Sequence, residues 1–273
     1  MAKEDRMSRG ILLVGCGKMG GALLAGWLDR GVAAADVVVV EPNPVADLPS
    51  GLRQVATADA VPGDFRPAIV MLAVKPQVMD QVAPAYARYA ESGVCFLSIA
   101  AGKTIAKLNQ LLGGKAAIVR SMPNTPAAVG AGITVCCAND AVTDQQRQTC
   151  QSLLEAVGEV GWVEDEGLID AVTAVSGSGP AYVFWLTECL AAAGEKAGLD
   201  SALAARLARA TVCGSGLLMQ RSPESPAQLR KNVTSPNGTT QAALDILMAA
   251  DGLAPLMERA VAAAARRSKE LAG

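Results

Sequence analysis

The apolar positions follow two different patterns along the chain. In the first half they form short continuous runs: Ile11 to Val14 after Gly10, Val37 to Val40, Ile69 to Val74, Val94 to Ile99 and Ala116 to Arg120, with shorter candidates at Ile133 to Cys137 and Val160 to Val163. Runs of this length that are apolar throughout, rather than alternating, predict strands buried on both faces. Between them, Gly21 to Arg30, a stretch from Lys75-Pro76 to about Glu91, Ile105 to Leu112 and Asp144 to Val157 have helical spacing. Strand, helix, strand in repetition predicts an α/β fold with a doubly wound sheet. After the acidic stretch Glu164-Asp165-Glu166 and Gly167 the runs give way to helical periodicity at Ile169 to Val175, Pro180 to Ala197, Leu203 to Gln220, Thr239 to Met248 and Leu253 to Leu271. A boundary near residue 165 therefore separates a sheet domain, 1–164, from an all-α domain, 165–273.

The first strand runs into Gly15-Cys16-Gly17-Lys18-Met19-Gly20, and a helix follows. Strand, G-x-G-x-x-G, helix is the setting of a dinucleotide-binding turn. Gly15 permits the tight turn, Gly17 lets a pyrophosphate approach the backbone, and Gly20 lets helix and strand pack closely. The second strand ends in Glu41, 21 positions after Gly20. A carboxylate there accepts from the adenosine ribose 2′-hydroxyl and repels a 2′-phosphate. Pro42, Asn43 and Pro44 follow it, with no arginine to hold that phosphate, so NADH is favoured over NADPH.

A second loop with chemical potential is Ser235-Pro236-Asn237-Gly238-Thr239-Thr240, which opens directly into a helix. Pro236 blocks an earlier start, Gly238 lets the backbone approach a ligand, and Thr239 or Thr240 is placed to cap the new turn. The free N–H groups of that turn form an anion site with hydroxyl donors beside it.

Composition narrows the chemistry. The chain has 273 residues, enough for two cores, and 51% are hydrophobic but only 3% aromatic, so small aliphatic side chains fill the interior. It contains no histidine, so proton handling falls to hydroxyls, amides, lysine or carboxylates. Its net charge of −2 and lack of a long basic run argue against nucleic acid as a partner. The seven cysteines include no C-x-x-C pair and read as small buried hydrophobes in a reducing compartment; no metal is expected. Met1 to Arg9 is polar, and no apolar run approaches membrane-spanning length, so a cytoplasmic protein is expected.

Three further segments carry a resemblance. Ala73-Val74-Lys75-Pro76 ends one strand, Arg120-Ser121-Met122-Pro123-Asn124-Thr125-Pro126-Ala127 ends another, and Ser176-Gly177-Ser178-Gly179-Pro180-Ala181-Tyr182 opens a helix. With the glycine turn and Ser235 to Thr240, in this order and over nearly the whole chain, they resemble the Δ1-pyrroline-5-carboxylate reductases, which complete proline biosynthesis. The resemblance implies an N-terminal Rossmann-type domain and a C-terminal helical dimerisation domain, with decamers in many members. It implies NAD(P)H-dependent reduction of a cyclic C=N bond. Gly15, Cys16, Gly17, Lys18, Met19 and Gly20 would then cradle the pyrophosphate. Glu41 would meet the adenosine ribose, with Asn43 also in the cofactor site, and Ala73, Val74, Lys75, Pro76 and Asn124 would border the ribose and nicotinamide. Ser235, Asn237, Gly238, Thr239 and Thr240 would hold the substrate, with Thr240 the first candidate for the catalytic hydroxyl and Ser235 the second. The small-residue stretches Ala191 to Gly194, Cys213 to Gly216 and Ala262 to Ala265 fit helices that share a core between subunits. Two positions depart from the family pattern: Lys18 replaces an asparagine, and Asn237 replaces the first of two glycines. Tyr182 reads as a packing residue.

Two other functions fit parts of the pattern. A β-hydroxyacid dehydrogenase would use a helix lysine such as Lys196, and a non-catalytic nicotinamide-binding regulator would keep the glycine turn alone. The sequence leaves open five- against six-membered imines.

Overall fold

The computed structural model describes residues 10–45 and 48–272; the polar opening Met1 to Arg9 lies outside the described residues. The chain gathers into two compact units. One holds the residues up to Gly177 together with those from Ala265 onward, and the other holds Ser178–Ala264.

The first unit is built on one eight-stranded sheet: β1 (Gly10–Val14), β2 (Val37–Val40), β3 (Arg53–Val55), β4 (Pro67–Leu72), β5 (Cys95–Ser98), β6 (Ala117–Met122), β7 (Gly132–Ala138) and β8 (Gly158–Trp162), in the order β3-β2-β1-β4-β5-β6-β7-β8. Every neighbouring pair is parallel except β6 with β7. The chain leaves β1 towards β2 and returns on its other side to β4. That reversal opens a crevice at the carboxyl ends of the strands, where α/β sheets bind ligands.

Both faces of the sheet are covered, which is why its strands are apolar throughout. Ile11, Leu13, Val37, Val39, Ile69, Met71, Cys95, Leu97 and Val119 pack with Leu23, Leu24 and Trp27 of α1 (Lys18–Asp29) and Leu153 and Leu154 of α4 (Asp144–Leu154). The Trp27 indole donates to the Leu153 carbonyl at 2.8 Å and joins those helices. On the other face Leu12, Val14, Val38, Val40, Val70, Leu72, Phe96 and Ile118 meet Met79, Tyr86 and Leu108, the last from α3 (Ile105–Leu111). The expected helix after Pro76 is instead a 3-10 turn (Pro76–Val78), one α turn, α2 (Met79–Val82), and a 3-10 stretch (Ala83–Ser92). Pro84 lacks an N–H and would clash with the carbonyl four residues back, so the chain tightens there. After β8, α5 (Ile169–Val172) continues into a π-helical turn, Thr173–Gly177, within the first unit.

The second unit contains α6 (Gly179–Lys196), α7 (Ser201–Arg221), α8 (Pro226–Asn232), α9 (Thr239–Leu247) and most of α10 (Leu253–Ala272). Small residues let α6 and α7 meet: a Cβ on Gly194 would lie 3.3 Å from that of Ala204. Within this unit the buried hydrophobic residues are Ala204 and Ala208, whereas Phe184, Trp185 and Ile246 are 62%, 65% and 75% exposed. An apolar surface of this size marks an interaction face. No described helix is long and apolar enough to cross a membrane.

Candidate active site

The glycine turn lies at the carboxyl edge of β1. Gly15 has φ +92°, and a Cβ there would sit 2.9 Å from the Ala73 carbonyl. A Cβ on Gly20 would lie 2.5 Å from the Gly15 oxygen, so helix and turn meet without room for a side chain. Gly17 differs: a Cβ would touch nothing within 4 Å, and that open side is where a ligand can approach the backbone. Gly17 is the extended N-cap of α1, offers no side-chain cap, and no acidic residue occupies the first turn. The N–H groups of Lys18 and Met19 therefore point out of the helix, while that of Gly21 closes on the Gly17 carbonyl at 2.7 Å. This cradle fits a dinucleotide pyrophosphate. Lys18 is exposed, and the turn keeps its glycine geometry with lysine at that position.

Glu41 stands over the same turn. Its Oε2 accepts the Cys16 N–H at 3.1 Å, and its Oε1 accepts both the backbone N–H and the side-chain amide of Asn43 at 3.1 Å. Burial pushes the Glu41 carboxyl up, but the three hydrogen bonds outweigh it and hold the group below its ordinary range. Burial and then the Glu41 charge push the Cys16 thiol up, so it is a neutral neighbour rather than a nucleophile. Gln54, which carries no motif, completes the corner: its amide donates to the carbonyls of Glu41 at 2.8 Å and Asn43 at 2.7 Å.

Ala73 to Pro76 follow β4, where the Ala73 N–H donates to the Val14 carbonyl at 2.8 Å and registers this end against β1. Lys75 is exposed at the N-cap of the Pro76–Val78 turn, with no ion pair among the described residues. Asn124 lies just beyond β6. Its Oδ1 accepts the Ile133 N–H at 3.0 Å and its Nδ2 donates to the Ser176 hydroxyl at 3.3 Å. A Cβ on Gly177 would fall 2.4 Å from the Met122 methyl. Thus the Met122 to Ala127 and Ser176 to Tyr182 segments meet at two points.

In the second unit, Ser235 to Gly238 forms a turn closed by the Gly238 N–H on the Ser235 carbonyl at 3.0 Å. Asn237 has φ +59°, the left-handed conformation in which asparagine replaces glycine at least cost. The N-cap of α9 is Gly238, with no side-chain cap, so neither Thr239 nor Thr240 caps the helix as the sequence suggested. Both lie in its first turn because the extended Gly238 starts the helix one residue early. Their N–H groups are free of intrahelical partners. The hydroxyls of Ser235 and Thr240 have no partner among the described residues, and Thr240 is half-buried. A cavity of about 360 Å³ lies in the same unit, lined by Arg230, Lys231, Thr234, Gln241, Leu244, Asp245 and Met248.

A larger depression, about 1570 Å³, lies elsewhere, around Arg30, Phe65, Arg66, Arg88 and Tyr89 at the amino ends of the strands. It is far from the glycine turn, and size alone does not make it the cofactor site.

Known proteins resemble the chain over nearly its whole length. A family profile described as pyrroline-5-carboxylate reductase dimerisation matches residues 166–271, and one described as NADP oxidoreductase, coenzyme F420-dependent, matches residues 10–102. The chain is 40% identical to the pyrroline-5-carboxylate reductase of Pseudomonas aeruginosa, covering 96% of both chains, and 39% identical to that of Synechocystis, covering 97% and 99%. Its fold matches the pyrroline-5-carboxylate reductase of Coxiella burnetii with a TM-score of 0.90 at 33% identity, over 97% and 99% of the two chains. It matches the Plasmodium falciparum enzyme, solved with NADP bound, with a TM-score of 0.82 at 29% identity, over 97% and 98%. The chain belongs to the pyrroline-5-carboxylate reductase family.

Proposed function

We propose that this protein reduces the C=N bond of 1-pyrroline-5-carboxylate to give L-proline, using NAD(P)H, in the cytoplasm. The observation that carries the reading is the Ser235 to Thr240 turn, whose helix-start amides and unpartnered Thr240 hydroxyl lie together. A planar cyclic imine with a carboxylate needs both: an anion site and a single donor to nitrogen. The bound nicotinamide would supply a hydride to the imine carbon. The amides of Thr239 and Thr240 hold the carboxylate. The Thr240 hydroxyl donates to the ring nitrogen and passes it a proton as the hydride arrives, so that imine, hydride and proton sum to the neutral amine; the hydroxyl is reprotonated from water afterwards. Positioning and exclusion of water supply the rest, so a histidine is not required. The test is direct: purified protein should oxidise reduced nicotinamide with pyrroline-5-carboxylate and form proline. Absence of proline with either cofactor overturns the assignment.

The cofactor preference belongs to Glu41. Held ionised beside the glycine turn, it suits a ribose hydroxyl and opposes a phosphate. A screened charge clash of about 1–2 kcal/mol corresponds to roughly five- to thirtyfold in favour of NADH. Glu41→Ser should narrow the ratio of kcat/KM values for the two cofactors. Better use of NADPH by the unaltered protein would show that Glu41 does not read the ribose.

The exposed apolar face of the second unit, in the region matched by the dimerisation profile, supports self-association. A dimer sharing this core, assembled further into a decameric ring, is the arrangement we favour.

A further inference from the structure

Serine and threonine within helices commonly return their hydroxyl proton to the carbonyl one turn back. Thr149, Thr173 and Thr187 do so within their helices, and Thr234 does so just past the end of α8, at 2.6 to 2.8 Å. Ser176 sits in the π-helical turn three residues after Thr173 and does not. Its oxygen is engaged from outside the helix by Asn124.

The direction of that bond is fixed. The backbone N–H of Ile133 can only donate, so the Asn124 oxygen must face it, at 3.0 Å. The Asn124 amine then faces Ser176, and the serine oxygen is the acceptor. The serine proton is left with no acceptor among the described residues. Gly177, whose missing side chain admits the Met122 methyl, sets the distance between the turn and the end of β6. Asn124 lies beyond the carboxyl end of β6, in the β4-β5-β6 half of the sheet, opposite the half that carries Glu41. With the adenosine end of a dinucleotide at Glu41, the nicotinamide end lies over this second half.

We propose that Ser176 donates a hydrogen bond to the carboxamide oxygen of the nicotinamide, and that Asn124 is the positioning residue that keeps the serine proton turned outward. The inference rests on the dinucleotide site proposed above, but not on the identity of the substrate.

Binding of dinucleotide alone, by calorimetric titration, tests it. The probes are NADH and its thionicotinamide analogue, whose sulfur is a poor acceptor. Ser176→Ala removes the donor. Asn124→Asp keeps the acceptor for Ile133 but presents only oxygen to Ser176, so the serine proton turns inward to the carboxylate. Each variant should bind NADH about five- to tenfold more weakly, the loss expected for one hydrogen bond, and bind the analogue as the unaltered protein does. Ser176→Thr, which keeps the hydroxyl, should keep the preference for NADH over the analogue. A merely structural role would weaken both dinucleotides in parallel, and that outcome, or unchanged NADH affinity in folded Ser176→Ala, overturns the proposal. Failure to reduce pyrroline-5-carboxylate would leave this binding test intact and would count against the proposed reaction alone.

Discussion

Glu166→Ala should lower the stability of the sheet unit by about 3 kcal/mol, the lower end of the range for breaking a buried ion pair. Arg120, on β6, has a side chain only 5% exposed, and its guanidinium meets Glu166 Oε1 at 2.7 Å. The same oxygen accepts the N–H of Ile105 at the start of α3, at 2.8 Å. Alanine would leave a buried cation and a helix-end donor without their acceptor. Glu166 is 29% exposed, so water can partly replace it, which is why the lower end applies. In a unit of this size the loss corresponds to a fall in Tm of roughly 6–12 °C. Glu166→Gln keeps an acceptor and should cost less. Replacing Arg120 and Glu166 together with methionine should recover much of the loss, because no unpaired charge remains. A Tm within 2 °C of the unaltered protein in Glu166→Ala would show that the pair contributes little.

The sheet was legible because its central strands are buried on both faces and so have to be apolar at every position. β3 escaped the same reading: Arg53-Gln54-Val55 is a short edge strand with one neighbour, and its residues are exposed or half-buried. α8 escaped for a related reason, since Pro226–Asn232 is short and has no buried residue to impose a period. The run after Pro76 was read as one helix because its apolar spacing is helical, but Pro84 interrupts the hydrogen bonding that the spacing leaves out of account.

At the site, spacing revealed what is local. The glycines of the turn stand within five positions of one another, so sequence order alone suggests its geometry, although the Ala73 carbonyl that Gly15 must clear is far along the chain. Glu41 was placed by its strand end, yet its bond to Cys16 N–H spans 25 residues, and its partner Gln54 carries no signal at all. The Asn124–Ser176 contact spans 52 residues. Both residues stand in segments noticed in the sequence, but nothing in either segment says that they meet. The helix start at Gly238 was misread for a physical reason: hydroxyl residues are better caps than glycine in general, but here the turn conformation, with Asn237 left-handed, decides where the helix begins.

That corrected cap sharpens the expectation for Thr240. Thr240→Val preserves the shape and removes the hydroxyl. Losing a donor aimed at the reacting nitrogen should cost about 2–3 kcal/mol of transition-state stabilisation, or roughly thirty- to a hundred-and-fiftyfold in turnover of pyrroline-5-carboxylate. Because Gly238 is the N-cap, the substitution should leave Tm nearly unchanged, and a loss of activity could not be traced to a frayed helix. NADH affinity should also hold, since the glycine turn and Glu41 belong to the other compact unit. Thr240→Ser should retain activity, and Thr240→Ala should resemble Thr240→Val, which separates the hydroxyl from the methyl. The steady-state pattern follows from the role: kcat falls, while KM moves little because the amides of Thr239 and Thr240 still hold the carboxylate. Undiminished turnover in a well-folded Thr240→Val protein would remove Thr240 from the chemistry. The role would then pass to Ser235, another hydroxyl of the same turn with no partner among the described residues, and Ser235→Ala would have to show the loss instead.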